Sequence, residues 1–158
     1  MPQTGDIAPE FELPALIAGV KRRFRLSERR GHMNVVLAFY PSNWATISAE
    51  QMVSLQVERE RFQASGTETV AICVDSIMNT TAWEREIGPF DFPMCSDFWP
   101  HGAVSRLYDV LGSDGTARRA IFIVGKNGRI EFDRILPADN MPLASEILGM
   151  LTTLKLAV

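Results

Sequence analysis

The segment Pro41-Ser-Asn-Trp-Ala-Thr-Ile-Ser-Ala-Glu-Gln51 joins a β-rich apolar run to a helical one. A strand-to-helix turn of this kind gathers unsatisfied backbone N–H groups and the first side chains of the helix at one point. The side chain of interest there is Ser48, and the turn contains no cysteine. A serine becomes a nucleophile only beside a base. His101 is the candidate base, but it lies between Trp99-Pro100 and Gly102-Ala103, a context for a helix start or the surface, and no Gly-x-Ser-x-Gly elbow is present. Ala45-Thr46-Ile47-Ser48 also has the spacing of a Cys-x-x-Cys redox motif with both sulfurs replaced. The actual cysteines lie elsewhere. Cys73 falls within an apolar strand and Cys95 in the extended stretch Phe92-Pro-Met-Cys-Ser96, so both read as small core residues, with a partly exposed and reactive Cys95 as the alternative. With only His32 and His101 to add, no metal-ligand spacing appears, and no cofactor motif is evident.

The elements that must hold this turn follow from the hydrophobic pattern. Asn34 to Tyr40 is apolar without alternation, as in a central strand buried on both faces, and Pro41 ends it. From about Ala49 to Ala64 the pattern is helical, with Met52, Val53, Leu55, Val57 and Phe62 on one side and a solvated charge run at Glu58 to Arg61. Gly66 marks the helix end, and Thr69 to Val74 is a second buried strand, completing a right-handed parallel βαβ unit. A short helix is predicted over Thr80 to Ile87, an extended piece over Phe92 to Ser96 and a helix from His101 to about Val110. Arg119 to Val124 and Arg129 to Ile135 form an antiparallel hairpin around Asn127-Gly128. A last amphipathic helix opens near Asn140 and Pro142 and runs through Ile147, Leu148, Leu151 and Leu154. The basic segment Lys21 to Arg30 reads as a half-buried edge strand rather than a nucleic-acid surface, because Phe24 and Leu26 alternate with its charges. Trp83 and Trp99 read as core or dimer-contact aromatics.

At 158 residues, with nearly half of them apolar and a formal charge of -3, the chain is expected to be one α/β domain spanning 1-158, with no nucleic-acid partner. No apolar run reaches the ~20 residues of a membrane helix, and the first residues lack a secretory pattern. A cytoplasmic location and no membrane partner are the resulting expectations. The element order gives a thioredoxin fold, a mixed central sheet with helices on both faces.

Gly5-Asp6, Ala8-Pro9, Phe11, Leu13 and Val35-Val-Leu-Ala-Phe-Tyr-Pro41 resemble the opening of peroxiredoxins of the alkyl hydroperoxide reductase and thiol-specific antioxidant type. The likeness continues through Val74-Asp75-Ser76, Ala82-Trp83, Phe92-Pro93, Ser96-Asp97, Gly102-Ala103-Val104, Tyr108 and Arg119 to Gly128. The resemblance implies the thioredoxin fold with an N-terminal extension and a parent activity of thiol-dependent peroxide reduction. It also implies association into homodimers. In that family a Pro, a Thr or Ser and a peroxidatic Cys follow the first central strand, and an Arg lies beside them. Pro41 and Gln51 match, and Arg119 falls where the stabilising arginine belongs. Ala45 stands at the hydroxyl position and Ser48 at the peroxidatic one.

Peroxide reduction needs a thiolate, which a helix N-terminus and a nearby Arg favour; a serine hydroxyl has no such chemistry. The chain is therefore expected to be inactive by the cysteine route. Peroxide and an external thiol reductant become its partners only if sulfur is restored by Ser48→Cys. One alternative is a non-catalytic protein that keeps the helix N-terminus and Arg119 as a small-anion site. Another is a Cys-x-x-Cys oxidoreductase disabled at Ala45 and Ser48, against which the motif's partner cis-proline is replaced by Arg119. Natural divergence and introduced replacement both account for Ala45 and Ser48.

Overall fold

The computed structural model describes residues 1–140, 143–154 and 156. The strands are β1 (Glu12–Ile17), β2 (Val20–Arg25), β3 (Asn34–Phe39), β4 (Thr67–Cys73), β5 (Met94–Ser96), β6 (Ala120–Val124) and β7 (Ile130–Ile135). They form one sheet in the order β2-β1-β5-β4-β3-β6-β7. β3, β4 and β5 run parallel, whereas β6, β7, β1 and β2 are each antiparallel to a neighbour. The most uniformly apolar run, Asn34 to Phe39, is buried throughout and lies in the middle, where both faces are covered. The sheet is thus mixed, as expected, and the fold is the thioredoxin-type α/β arrangement.

Alternation sorts the side chains onto two cores. Val35, Leu37, Phe39 and Phe122 face a layer with Phe11, Phe24 and Tyr108. Val36, Ala38, Tyr40, Ile121 and Ile123 face the opposite layer with Met52, Leu55, Phe62, Trp83 and Ile147. The second layer is made by the helices α1 (Thr46–Val57), α2 (Arg59–Ala64), α3 (Ile77–Ile87) and α5 (Ala144–Leu154). The first is closed by α4 (Ala103–Leu107) and the N-terminal segment.

Several boundaries differ from the sequence reading. The helix expected over Ala49 to Ala64 begins three residues earlier, at Thr46, and is broken at Glu58 into α1 and α2. Val57 is 73% exposed, so only Met52, Leu55 and Phe62 of the expected stripe reach the core. The helix expected from His101 shrinks to the five residues of α4, because Gly102 adopts a left-handed backbone and the buried Asp97 carboxylate caps the next turn by accepting from the N–H groups of Val104 and Ser105. Ser76 caps α3, so that helix begins at Ile77 rather than Thr80. α5 opens at Ala144; Pro142, expected near its start, lies outside the described residues. β1 had no sequence expectation, since Pro14 interrupts its pattern, yet it pairs with both β5 and β2. β2 is a charged edge strand, but the strand expected over Lys21 to Arg30 ends at Arg25, and Leu26–Arg29 form a 3₁₀ turn instead; Glu12 holds Arg23 and Arg25 across β2 at 2.9 and 3.2 Å. Trp83 is a core residue, whereas Trp99 is 80% exposed and lies outside both cores.

Candidate functional site

The turn after β3 is fixed by a buried polar network. The Tyr40 hydroxyl donates to Asn43 Oδ1 at 2.7 Å, and the Asn43 backbone N–H donates to Asp75 Oδ2 at 2.7 Å. The Asn43 amide donates to Asn79 Oδ1 and Thr80 Oγ1, each at 3.0 Å. One residue, Asn43, thereby ties the turn to the segment after β4 through its backbone and to the first turn of α3 through its side chain. The next residue, Trp44, has φ +72°, a left-handed backbone that bulky residues rarely adopt. Its indole N–H donates to Asn79 Oδ1 at 2.9 Å, which holds the turn in that shape. Sequence reasoning missed Asn43, Asn79 and Thr80, because only folding brings them together.

Ala45 is the N-cap of α1 and has no side chain able to cap it. No acidic residue stands in the first turn, so neither the cap nor that turn offers the opening N–H groups and the positive end of the helix dipole an acceptor or a counter-charge. Ser48, in that first turn, and Gln51, one turn later, are both buried. Alternation along β6 places Arg119 on the same face as Ile121 and Ile123, toward α1. Its Nη2 donates to Ser48 Oγ at 3.3 Å and its Nε to the Ala138 carbonyl at 2.6 Å. Arg119 is only 4% exposed, and its Nη1 is buried without a partner among the described residues, as are both amide atoms of Gln51. Pro41, Arg118, Arg119, Asp114 and Pro137 line a cleft of about 550 Å³ beside this cluster. Of the five sequence-chosen residues, Ser48 and Arg119 meet directly, Pro41 lines the cleft with Arg119, Gln51 lies one helical turn beyond Ser48, and Ala45 occupies the N-cap position without capping it.

Arg119 has no carboxylate within ion-pair distance among the described residues, and burial pushes its pKa down. A buried, unpaired charge opposes folding. Arg119→Met should therefore raise the unfolding free energy by about 1–2 kcal/mol in urea melts. A loss of stability would mean that the bonds to Ser48 and Ala138 outweigh the cost of burying the guanidinium.

The remaining chemistry-bearing residues lie apart. His101 directs Nε2 to the Gly115 carbonyl at 2.6 Å and is exposed, so it braces a loop and makes no bond to Ser48. Cys73 and Cys95 are both buried and free. The alternative of a partly exposed Cys95 is corrected by its 1% exposure, which follows from its place in β5 between β1 and β4. Burial pushes the Cys73 thiol up to about 12 and the Cys95 thiol higher still. A bulky aromatic disulfide reagent at neutral pH should titrate neither thiol in the native protein and both in denaturant; rapid native labelling of either one would contradict their burial. Among the described residues no three His, Cys, Asp or Glu side chains come together in a way that could hold a metal ion, and no helix is long and apolar enough to cross a membrane.

The model of the AhpC/TSA family matches residues 4–133, which include the turn, Ser48 and Arg119. The chain belongs to the AhpC/TSA family. Among similar family proteins, alkyl hydroperoxide reductase E of Mycobacterium tuberculosis is 34% identical over 133 residues, covering 84% of each chain. Peroxiredoxin-2 of Mus musculus is 29% identical over 152 residues, covering 92% of this chain and 74% of that protein. Among solved structures, reduced 2-Cys peroxiredoxin of Plasmodium vivax superposes with a TM-score of 0.92 at 22% identity, covering 98% of this chain and 83% of that one. AhpC of Mycobacterium tuberculosis superposes with a TM-score of 0.88 at 22% identity, covering 98% and 99%. These likenesses agree with the peroxiredoxin resemblance and the fold it implied.

Proposed function

We propose that this AhpC/TSA family protein keeps the architecture of a peroxide-reducing pocket but does not reduce peroxides by the cysteine route. The carrying observation is Ser48: buried in the first turn of α1 and bonded to Arg119, it occupies the position a reactive thiolate would need. In the parent reaction a thiolate attacks one peroxide oxygen, the O–O bond breaks, the sulfur is oxidised to sulfenic acid and the other oxygen leaves as hydroxide or alkoxide. A serine oxygen is not oxidised in this way. Neither cysteine can substitute, since both are buried far up their titration range. Peroxide consumption in the presence of a small external thiol tests this. The native chain should not exceed the thiol blank, whereas Ser48→Cys should turn over. Peroxidase activity of the native chain would overturn the proposal. Homodimer formation accompanies this reading through the family likeness.

A second reading rests on the unspent donors. Among the described residues Arg119 Nη1 has no partner and α1 has no side-chain cap, which supports binding of a small oxyanion or carboxylate without catalysis. Calorimetry with sulfate and acetate tests it. Heat that disappears in Arg119→Met supports an anion site, and no heat at millimolar ligand counts against it.

A further inference from the structure

A second concavity lies at the other end of the sheet. Pro41 follows the C-terminal end of β3, whereas this cavity is built around Met33 and Val35 at its N-terminal end and Val124 at the C-terminal end of β6. A six-residue strand separates the two ends by about 20 Å. The N-terminal segment at Ile7 and Ala8, the 3₁₀ turn Leu26–Arg29 and the β6–β7 connection at Gly125 and Gly128 supply the remaining walls. The volume is about 280 Å³, room for about nine groups the size of a water molecule.

The walls are mainly apolar, and the charges on them differ in how far they are committed. Glu10 Oε1 accepts from the backbone N–H groups of Phe11 and Ser27 at 2.9 and 3.0 Å. Arg29 donates to Glu68 at 2.8 Å and covers the ring of Phe24. The Arg30 guanidinium makes no hydrogen bond or ion pair among the described residues. It lies against Gly128, where the left-handed backbone (φ +81°) and the missing Cβ leave it space; a Cβ there would overlap its nitrogens. Among the described residues Arg30 is therefore the one cation of this wall without a bond, and it stands beside an apolar cavity of small-ligand size. A compact apolar wall with one planar donor selects a ligand that combines a short apolar chain with one carboxylate.

We infer that this cavity binds a small aliphatic monocarboxylate, its chain against Ile7, Leu26, Met33 and Val124 and its carboxylate on Arg30. The site is independent of Ser48 and Arg119, so it stands whether or not the proposed function holds.

Hexanoate is the probe, with acetate and hexanol as controls. Backbone amide shift mapping should place the hexanoate response at Gly31, Gly125 and Gly128. Arg30→Met keeps the side-chain stem and removes the charge. It should weaken hexanoate about tenfold or more and leave hexanol unchanged; acetate, lacking the chain, should give no response at these amides. The inference is overturned if hexanoate shifts only Thr46 to Ser48, which would place it at Arg119. It is equally overturned if hexanoate gives no response at millimolar concentration or binds Arg30→Met as tightly as the native chain.

Discussion

Ser48→Cys is expected to yield a thiol that ionises below the ordinary cysteine value of about 8.5, although the same burial would normally raise it. Burial lifts Cys73 to about 12, which corresponds to a penalty of about 4 kcal/mol. At position 48 two opposing influences are present that Cys73 lacks. The first turn of α1 has no side-chain cap, and Arg119 approaches to 3.3 Å. Charges at that separation attract by about 5 kcal/mol at an effective dielectric constant of about 20. The guanidinium is itself buried and has no ion-pair partner among the described residues, so a thiolate relieves two costs at once. In the Ser48→Cys protein the ultraviolet absorbance of thiolate should be developed at neutral pH, and peroxide reactivity should rise with pH only up to that low pKa. Adding Arg119→Met should move the thiol above about 10 and reduce the neutral-pH rate by a factor on the order of 100. A Ser48→Cys thiol that titrates as high as Cys73 would show that Arg119 and the helix end do not prepare this position for sulfur.

Phe122→Ala should cost about 3–5 kcal/mol of folding stability, the largest loss expected from a single truncation here. Phe122 is fully buried in β6, with its ring edge-on to Phe39 at 5.8 Å and to Tyr108 at 5.1 Å. Tyr108 also donates its hydroxyl to the Pro9 carbonyl at 2.6 Å, so a cavity at Phe122 loosens the contact between α4 and the N-terminal segment. Arg119 lies three positions earlier on the opposite face. The variant should therefore lower the urea midpoint sharply while Arg119 still reaches Ser48 in the fraction that remains folded. A cost below about 1 kcal/mol would mean that the neighbouring rings collapse into the space.

The parts of this fold that were legible in the sequence are those where one local signal dominates. Asn34 to Phe39 is apolar enough to require the sheet centre, and Asn127-Gly128 sits in the connection between β6 and β7 as its turn chemistry demands. β1 was not legible because its strand character comes from partners, β2 and β5, and Pro14 hides the pattern. The break at Glu58 was hidden by a charge run that suits one long helix as well as two. At the site, Ser48, Gln51 and Arg119 could be chosen because the resemblance fixes their frame, and the structure brings Arg119 onto Ser48 from 71 residues away. The Asn43 network was illegible for the same reason that it is effective. Its members come from the segments that follow β3 and β4 and from α3, and no spacing along the chain links them.

That network has a consequence for how such a pocket can change over time. Neither Ala45 nor Ser48 contributes a side-chain bond to it, so the polypeptide path through the turn is set without reference to the atoms that would react. Positions 45 and 48 behave as interchangeable fittings in a rigid socket. A lineage could exchange sulfur for oxygen there, or restore it, without first having to rebuild the fold.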